Sequence, residues 1–310
     1  RRSADMNRSL LANVAACCAA LCAGTSVVVT RFAVGEIDPV TLAFYRYAIA
    51  MICLLPVLPF VWPKARVPAA DVITIALLGA VFFGFFPWAF SAALQYTTAA
   101  RGAIGVATIP IQTLIVAAIF GREKLTCRNL LSVALGFAGI AIVFGPEAYR
   151  GEVSPHWLGD GLMLLGGLSA AIYSVFGRPV FGKHGVMFVM VLAVVFGLLT
   201  LTLLAATSGV LTGWPTFSRN GWMAVIFLGT LGAAIQFSLF TWALRWLPPS
   251  RVVIYLTLNP IVAILLASLF LGETVTPVLI AGLVFVIGGI FVANRRAAGA
   301  GAAGPQTPKA

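Results

Sequence analysis

Long apolar runs make up almost the whole chain, and each is about the length needed to cross a lipid bilayer. A transmembrane helix needs roughly 20 predominantly apolar residues. We count ten such runs, at residues 9–30, 39–61, 71–95, 98–120, 127–145, 157–177, 186–208, 220–243, 250–271 and 275–294. Because lipid cannot hydrogen-bond an exposed backbone, runs of this length must form helices. The sequence therefore predicts an all-α integral membrane protein with ten transmembrane helices.

The composition agrees with a lipid bilayer as the main surroundings of the chain. Of the 310 residues 61% are hydrophobic and 9% are charged, whereas soluble domains carry about 25% charged residues. The net charge of +11 alone would suggest a nucleic-acid partner, but the basic residues fall singly or in pairs between apolar runs. Nucleic-acid binders gather them on one face instead. We therefore expect no nucleic-acid partner. The five cysteines lack the spacing of metal ligands, so we expect no metal or cofactor.

A short motif occurs twice, 150 residues apart. The shared positions are Arg101 with Arg251, Pro110 with Pro260, and Glu123 with Glu273. Self-similarity at a fixed offset indicates an internal repeat. Because each copy holds five spans, an odd number, the second copy enters the membrane from the opposite side. The sequence thus predicts two inverted five-helix repeats, an arrangement in which secondary transporters place the substrate site near the bilayer midplane.

The distribution of Lys and Arg predicts the orientation of the chain. With the N-terminus inside the cell, fifteen of the 20 Lys and Arg residues fall on the inner side, as the positive-inside rule requires. Both ends are then cytoplasmic. We expect a cytoplasmic N-terminus at 1–8, the first repeat at 9–145, a connecting loop at 146–156, the second repeat at 157–294, and a disordered cytoplasmic tail at 295–310.

Several motifs resemble those of a known transporter family. They are Leu42-Ala-Phe-Tyr-Arg46 in span two, Ala93-Leu-Gln-Tyr96 leading into Arg101 and Pro110, and the Gly-Arg-Glu123 ending that returns as Leu-Gly-Glu273. On these residues the chain resembles EamA-type members of the drug/metabolite transporter superfamily, over residues 9–294. Within that group it is most similar to YddG-type exporters of aromatic and other neutral amino acids.

The resemblance implies an exporter of small metabolites, above all amino acids, in the inner membrane of a bacterium. It also implies that spans one, three, four, six, eight and nine line the cavity, with spans five and ten outside it. The expected partners are a small-molecule substrate and the lipid bilayer. We expect the chain to act as a monomer or a weak homodimer.

Aromatic and uncharged polar side chains within the spans are the candidate substrate-binding residues. They are Phe83, Phe86, Phe90, Thr108, Gln112, Tyr173, Gln236, Tyr255 and Asn259. Regular helical spacing puts the three phenylalanines on one face, which either meets lipid or stacks on an apolar or aromatic substrate. A polar side chain at the midplane seeks a helix interface or a wet cavity, so contacts between helices remain the alternative role. Tyr255 and Asn259 are four residues apart and share a face.

Two prolines and one arginine inside spans are further candidates. Pro110 and Pro260 each remove one helical hydrogen bond, which predicts a hinge or a bend; an ordinary transmembrane proline is the alternative. Arg46 lies about two turns into span two. An intramembrane arginine is a functional candidate by default, and snorkelling to the outer interface is its alternative role.

The positions of the titratable residues favour one transport mechanism over another. None of the nine acidic residues falls well inside a predicted span, and His156 and His184 fall in loops. Proton-driven pumps commonly place such a residue within the membrane. The sequence therefore favours uniport or exchange by alternating access, with a proton-coupled exporter of drugs or organic cations as the alternative. Enzyme motifs are missing, so we expect no enzyme, and the inverted repeat would also permit a pore.

Overall fold

The computed structural model describes residues 2–63, 66–122, 126–149, 156–213, 215–247, 255 and 257–300, and the regular elements within these ranges are helices. We number the long ones α1 (Arg2–Ala33), α2 (Pro39–Leu54, continued by Leu55–Val57 and Leu58–Val61), α3 (Ala69–Tyr96), α4 (Ala99–Ile119), α5 (Cys127–Tyr149), α6 (His156–His184), α7 (Val186–Thr207), α8 (Arg219–Gly229, Thr230–Ile235 and Gln236–Trp246), α9 (Leu258–Leu271) and α10 (Pro277–Ala300). A short 3-10 turn, Val210–Thr212, follows α7.

Most of these helices are long and apolar enough to span a membrane. Among the described residues seven meet that criterion, namely Leu10–Ala33, Pro39–Val61, Ala69–Tyr96, Ala99–Ile119, His156–His184, Val186–Thr207 and Arg219–Ala243. Three shorter apolar helices are Cys127–Val143, Leu258–Leu271 and Pro277–Val292. The prediction of an all-α integral membrane protein is therefore confirmed, while the count of ten spans stays a prediction.

Helices at corresponding places in the two halves of the chain pack against corresponding neighbours. Helix α1 packs against α8 and α9, and α6 packs against α3 and α4. Helix α2 contacts α8, and α7 contacts α3. Helices α5 and α10 pack mainly on each other, with α4 as their main link to the rest. Helices α1, α3, α4, α6, α8 and α9 therefore contact one another, and α2 packs on α3, α7 and α8.

Helices α3 and α8 each contain a π-helical segment at the corresponding place. The segments are Ala80–Phe85 and Thr230–Ile235, which are 150 residues apart, the same offset as the sequence repeat. Each follows a glycine at a close helix contact. A Cβ on Gly79 would lie 2.4 Å from the backbone oxygen of Ala193, and a Cβ on Gly229 would lie 2.8 Å from that of Arg46. Small residues of this kind let membrane helices approach closely.

Helix α4 is interrupted at Thr108, two residues before Pro110. Its two parts are Ala99–Ala107 and Ile109–Ile119, and the Thr108 N–H donates to the Gly105 oxygen at 3.1 Å, a tighter turn than an α-helix makes. The break has a local cause, because Pro110 has no N–H to donate to the preceding turn. Pro260 is the third residue of α9.

Two boundaries differ from those that the apolar runs predict. Helix α5 continues to Tyr149, beyond the predicted end at 145, and α10 continues to Ala300, beyond the predicted end at 294. Residues 150–155 of the predicted loop and 301–310 of the predicted tail lie outside the described residues.

The close contact at Gly79 predicts that adding a single methyl group there destabilises the protein. We expect Gly79→Ala to lower the free energy of unfolding by about 1–3 kcal/mol, because the new Cβ must push α3 away from the α7 backbone. Gly161→Ala is the matched control, since a Cβ there meets nothing within 4 Å. Thermal unfolding in detergent should show a lower midpoint for the first variant and an unchanged or higher one for the second. Equal midpoints would contradict the close packing.

Candidate functional site

Aromatic rings from three helices meet beside the π segment of α3. The Phe82 and Tyr173 rings stack with centroids 4.8 Å apart, and the Phe83 ring lies edge-on to Tyr173 at 5.4 Å and to Phe237 at 5.5 Å. We call Phe82, Phe83, Tyr173 and Phe237 the ring cluster. The wider π turn presents two consecutive phenylalanines of α3 to α6 and α8. Sequence reasoning selected Phe83 and Tyr173 but missed Phe82 and Phe237.

The three phenylalanines that were predicted to share a face do not do so. Phe86 and Phe90 stack at 5.6 Å, and Phe86 lies against Gly166 of α6. Phe83 is 1% exposed and packs in a different cluster, in which its ring lies 6.1 Å from that of Tyr47. The prediction is wrong because it assumed regular helical spacing, whereas the π segment changes the angle between Phe83 and the residues after it.

The two polar candidates in α4 are bonded to each other. Thr108 Oγ1 donates to the Gly105 oxygen at 2.6 Å and accepts from Gln112 Nε2 at 2.9 Å. The Gln112 amide also lies against α6, since a Cβ on Gly167 would be 2.7 Å from Nε2. The pair therefore supplies a hydrogen bond to a backbone oxygen at the break in α4 and packs between α4 and α6.

The polar candidates in α8 and α9 differ in how well they are satisfied. The Tyr255 hydroxyl donates to Asn13 Oδ1 of α1 at 3.0 Å. Within the described part of the chain, Gln236 Oε1 and Asn259 Oδ1 are buried without a hydrogen-bond partner. Buried polar atoms are nearly always paired, so each unpaired atom needs an explanation. The backbone oxygen of Asn259 lies close to Gly24 of α1.

Arg46 lies in the protein interior. It is 7% exposed, and its Nη2 donates to the Gly232 oxygen in the π segment of α8 at 2.8 Å. Its Cζ lies 5.8 Å from the centre of the Tyr47 ring. Snorkelling to the interface is therefore wrong as the alternative role for Arg46. A π segment shifts the regular pattern of backbone hydrogen bonds, and the guanidinium supplies a donor where that shift occurs.

A network of charges joins α4, α6 and α9 at one end of the bundle. Arg101 forms an ion pair with Asp160, which is 4% exposed and also accepts from Thr97 Oγ1 at 2.9 Å. Glu273 accepts from the backbone N–H of Ala99 at 2.7 Å and thereby caps the start of α4. Sequence reasoning did not select Asp160, because it lies within the first two turns of its span.

Two further carboxylates join helices, one at the start of α8 and one at the end of α6. Glu36 accepts two hydrogen bonds from Ser218 at the start of α8, and these lower the pKa of its carboxyl below the ordinary value. Asp71 of α3 contacts Lys183 at 3.2 Å and His184 Nε2 at 2.8 Å. Both histidines are terminal residues of α6 and not loop residues as predicted. In the described ranges no group of three His, Cys, Asp or Glu side chains could hold a metal ion.

Two surface cavities lie at the end of the bundle that contains Arg101. One of about 540 Å³ is lined by residues that include Arg101, His156 and Glu273, and one of about 350 Å³ by residues that include Glu36 and Phe217. None of the predicted substrate-binding residues lines either of these cavities. The ring cluster and the unpaired amide oxygens are instead packed between the helices of the bundle.

Comparison with known proteins identifies the family. The model of the EamA-like transporter family matches residues 10–145 and again residues 157–295. The chain belongs to the EamA-like transporter family. It is thus a membrane transporter of the drug/metabolite transporter superfamily, which agrees with the expectation of a transporter and not an enzyme.

Individual EamA-like relatives support this assignment. An Escherichia coli protein described as "Uncharacterized inner membrane transporter YedA" is 28% identical over 258 residues, covering 82% of this chain and 81% of the relative. A Streptantibioticus cattleyicolor protein described as "Probable terminal-alkyne amino-acid exporter" is 24% identical over 237 residues, covering 76% of each. One solved crystal structure is similar with a TM-score of 0.62 at 20% identity, over 94% of this chain and 98% of that one. That likeness shows the fold.

The buried ion pair of Arg101 predicts a large effect on stability. We expect Asp160→Asn to lower the free energy of unfolding by about 3 kcal/mol, because it leaves a buried guanidinium without its carboxylate. Lys183→Met is the control, since the Lys183 side chain is 59% exposed and an exposed pair contributes at most about 1 kcal/mol. Thermal unfolding in detergent should separate the two variants clearly. Wild-type midpoints for both would contradict the role of the pair.

Proposed function

We propose that this EamA-like transporter exports small metabolites, most of all aromatic and other neutral amino acids, across a bacterial inner membrane. The observation that carries the proposal is the ring cluster on α3, α6 and α8, together with the unpaired amide oxygens of Gln236 on α8 and Asn259 on α9. Rings favour an apolar or aromatic side chain, and a few polar groups fix orientation in such a site. The name of the relative from Streptantibioticus supports amino acids as the substrate class.

The transport mechanism that we propose is alternating access between two inverted five-helix repeats, with ten spans and both termini in the cytoplasm. Three observations support it. The family model matches twice, the π segments of α3 and α8 are 150 residues apart, and α1 and α6 have matching neighbours. Pro110 and Pro260 are the proposed hinges, since the first lies beside a break in its helix.

The proposed site consists of the ring cluster together with the candidates selected from the sequence. Phe86 and Phe90 continue the rings along α3, while Gln236, Tyr255 and Asn259 supply polar groups from α8 and α9. Thr108 and Gln112 shape the site through the break in α4. We propose uniport or exchange, because the buried carboxylates of the described helices, Asp71 and Asp160, lie near helix ends and are held by ion pairs, Asp71 with Lys183 and His184 and Asp160 with Arg101.

Counterflow in proteoliposomes tests the proposed function directly. We expect saturable exchange of a labelled aromatic or neutral amino acid against its unlabelled form without a pH gradient. Saturation and counterflow would distinguish a carrier from a pore. Strict dependence on a pH gradient would contradict uniport or exchange, and a response to organic cations alone would favour a drug exporter instead.

Tyr173 provides a matched pair of variants for the same assay. Tyr173→Phe keeps the stacked ring, whereas Tyr173→Ala removes it. Since an aromatic pair contributes about 0.5–1.5 kcal/mol, the alanine variant should lose about threefold to tenfold in apparent affinity for an aromatic amino acid. The phenylalanine variant should change much less. Equal losses in both variants would argue against a contact between the ring and the substrate.

A further inference from the structure

Arg46 is a buried cation without a carboxylate partner among the residues that the structure describes. It lies about two turns into α2, is 7% exposed, and forms its contacts with the Gly232 oxygen and the Tyr47 ring. A charged side chain inside the membrane is costly, and such residues pair with an opposite charge or mark a substrate path. The described neighbours of Arg46 provide no such charge.

The hydrogen bond to Gly232 uses only part of what the guanidinium can donate. An arginine carries five N–H donors in a planar fork that matches a carboxylate. In the described part of the molecule Arg46 Nε is buried and has no acceptor. The known contacts therefore leave a desolvated donor that a ligand oxygen could satisfy.

The π segment of α3 shows that such a segment does not require an arginine. Gly79 and Gly229 hold corresponding positions before the two π segments, and where Gly229 packs on the backbone of Arg46, Gly79 packs on that of Ala193. Alanine has no side-chain donor, yet the segment Ala80–Phe85 forms beside it. Support of the π segment alone thus does not explain why a charged residue stands at position 46.

Helices that pack together near Arg46 carry the remaining groups that an amino acid needs. Gly232 accepts from Arg46, and a Cβ on Gly232 would lie 2.5 Å from Ser26 Oγ, so α1, α2 and α8 meet here. A Cβ on Gly24 of α1 would lie 2.7 Å from the backbone oxygen of Asn259, so α9 packs on the same part of α1. Gln236 follows Gly232 by one turn of α8. The unpaired oxygens of Gln236 and Asn259 are acceptors for an ammonium group.

Tyr47 links the same arginine to the ring cluster. The Arg46 guanidinium is 5.8 Å from the Tyr47 ring, and the Tyr47 ring is 6.1 Å from that of Phe83 in the cluster. A buried cation is therefore linked to a set of rings, while the two unpaired acceptors lie on α8 and α9, which both pack on α1.

We propose that Arg46 binds the carboxylate of the substrate, so that the transported compounds are free acids and not amides, esters or amines. This inference rests on the proposed function and specifies its substrate class. In the bound state the carboxylate takes the Nε and Nη donors, the ammonium group meets the Gln236 and Asn259 oxygens, and the side chain lies among the rings. Organic cations without a carboxylate are repelled by the same guanidinium.

Binding of L-phenylalanine and of L-phenylalaninamide to the purified protein tests the proposal. Wild-type protein should bind the acid at least about tenfold more tightly, as expected for a charge-assisted hydrogen bond. Arg46→Gln should weaken binding of the acid by about 10- to 100-fold and leave binding of the amide unchanged, and Arg46→Lys should restore part of the preference. Arg31→Gln is the matched control, because Arg31 Nη1 also donates to a helix carbonyl, that of Leu94 at 2.9 Å. It should keep the wild-type preference.

The outcomes separate this inference from the proposed function. If wild-type protein binds the acid and the amide equally well, or if Arg46→Gln keeps the preference, the role of Arg46 is overturned while amino-acid transport stands. If wild-type protein binds neither compound nor any other amino acid, the proposed function fails and this inference fails with it. Should Arg46→Gln not fold, the wild-type preference and the Arg46→Lys variant decide the matter.

Discussion

Every backbone hydrogen bond within a membrane must be satisfied by the protein, because lipid offers neither donors nor acceptors. Helices α3, α4 and α8 depart from regular geometry, and side chains of the protein cover the departures in α4 and α8. Thr108 and Gln112 cover the break in α4, and Arg46 donates to Gly232 in α8. The irregular helices pack with the other helices of the bundle, whereas α5 and α10 pack mainly on each other. We therefore propose that this transporter places its site beside the irregular backbone.

The two halves share a framework but carry different chemistry at corresponding positions. Gly79 and Gly229 make the same kind of close contact. Beyond them, Phe82 of the first half contributes a ring, while Gly232, at the corresponding position of the second half, contributes the carbonyl that accepts from Arg46. An interior that is aromatic on one side and polar on the other suits a ligand with an apolar side chain and charged groups. This asymmetry is the physical basis for proposing amino acids as substrates of an EamA-like protein.

Local patterns in the sequence predicted the features that depend on local physics. Apolar runs predicted the membrane helices, and Pro110 predicted the bend beside Thr108. The π segments could not be predicted, because hydrophobic spacing assumes a constant angle per residue, and Phe83 was therefore placed on the wrong face. The contact of Arg46 with Gly232 joins residues 186 positions apart, and the pair of Arg101 with Asp160 joins different helices, so neither leaves a local signal. One signal was available: Gly79 and Gly229 lie 150 residues apart, the offset of the repeat, and both make close helix contacts.

The central claim is that the two halves cross the membrane in opposite directions. Gly35 and Gly182 test it, because both are exposed. Gly35 follows the end of α1, and Gly182 lies near the end of α6, at the corresponding place in the second half. Each is replaced by cysteine in a chain without its five native cysteines, and intact cells are treated with a membrane-impermeant maleimide. The account predicts labelling of Gly35→Cys in intact cells and of Gly182→Cys only after the membrane is permeabilised. Equal labelling of both from outside would contradict the inverted arrangement.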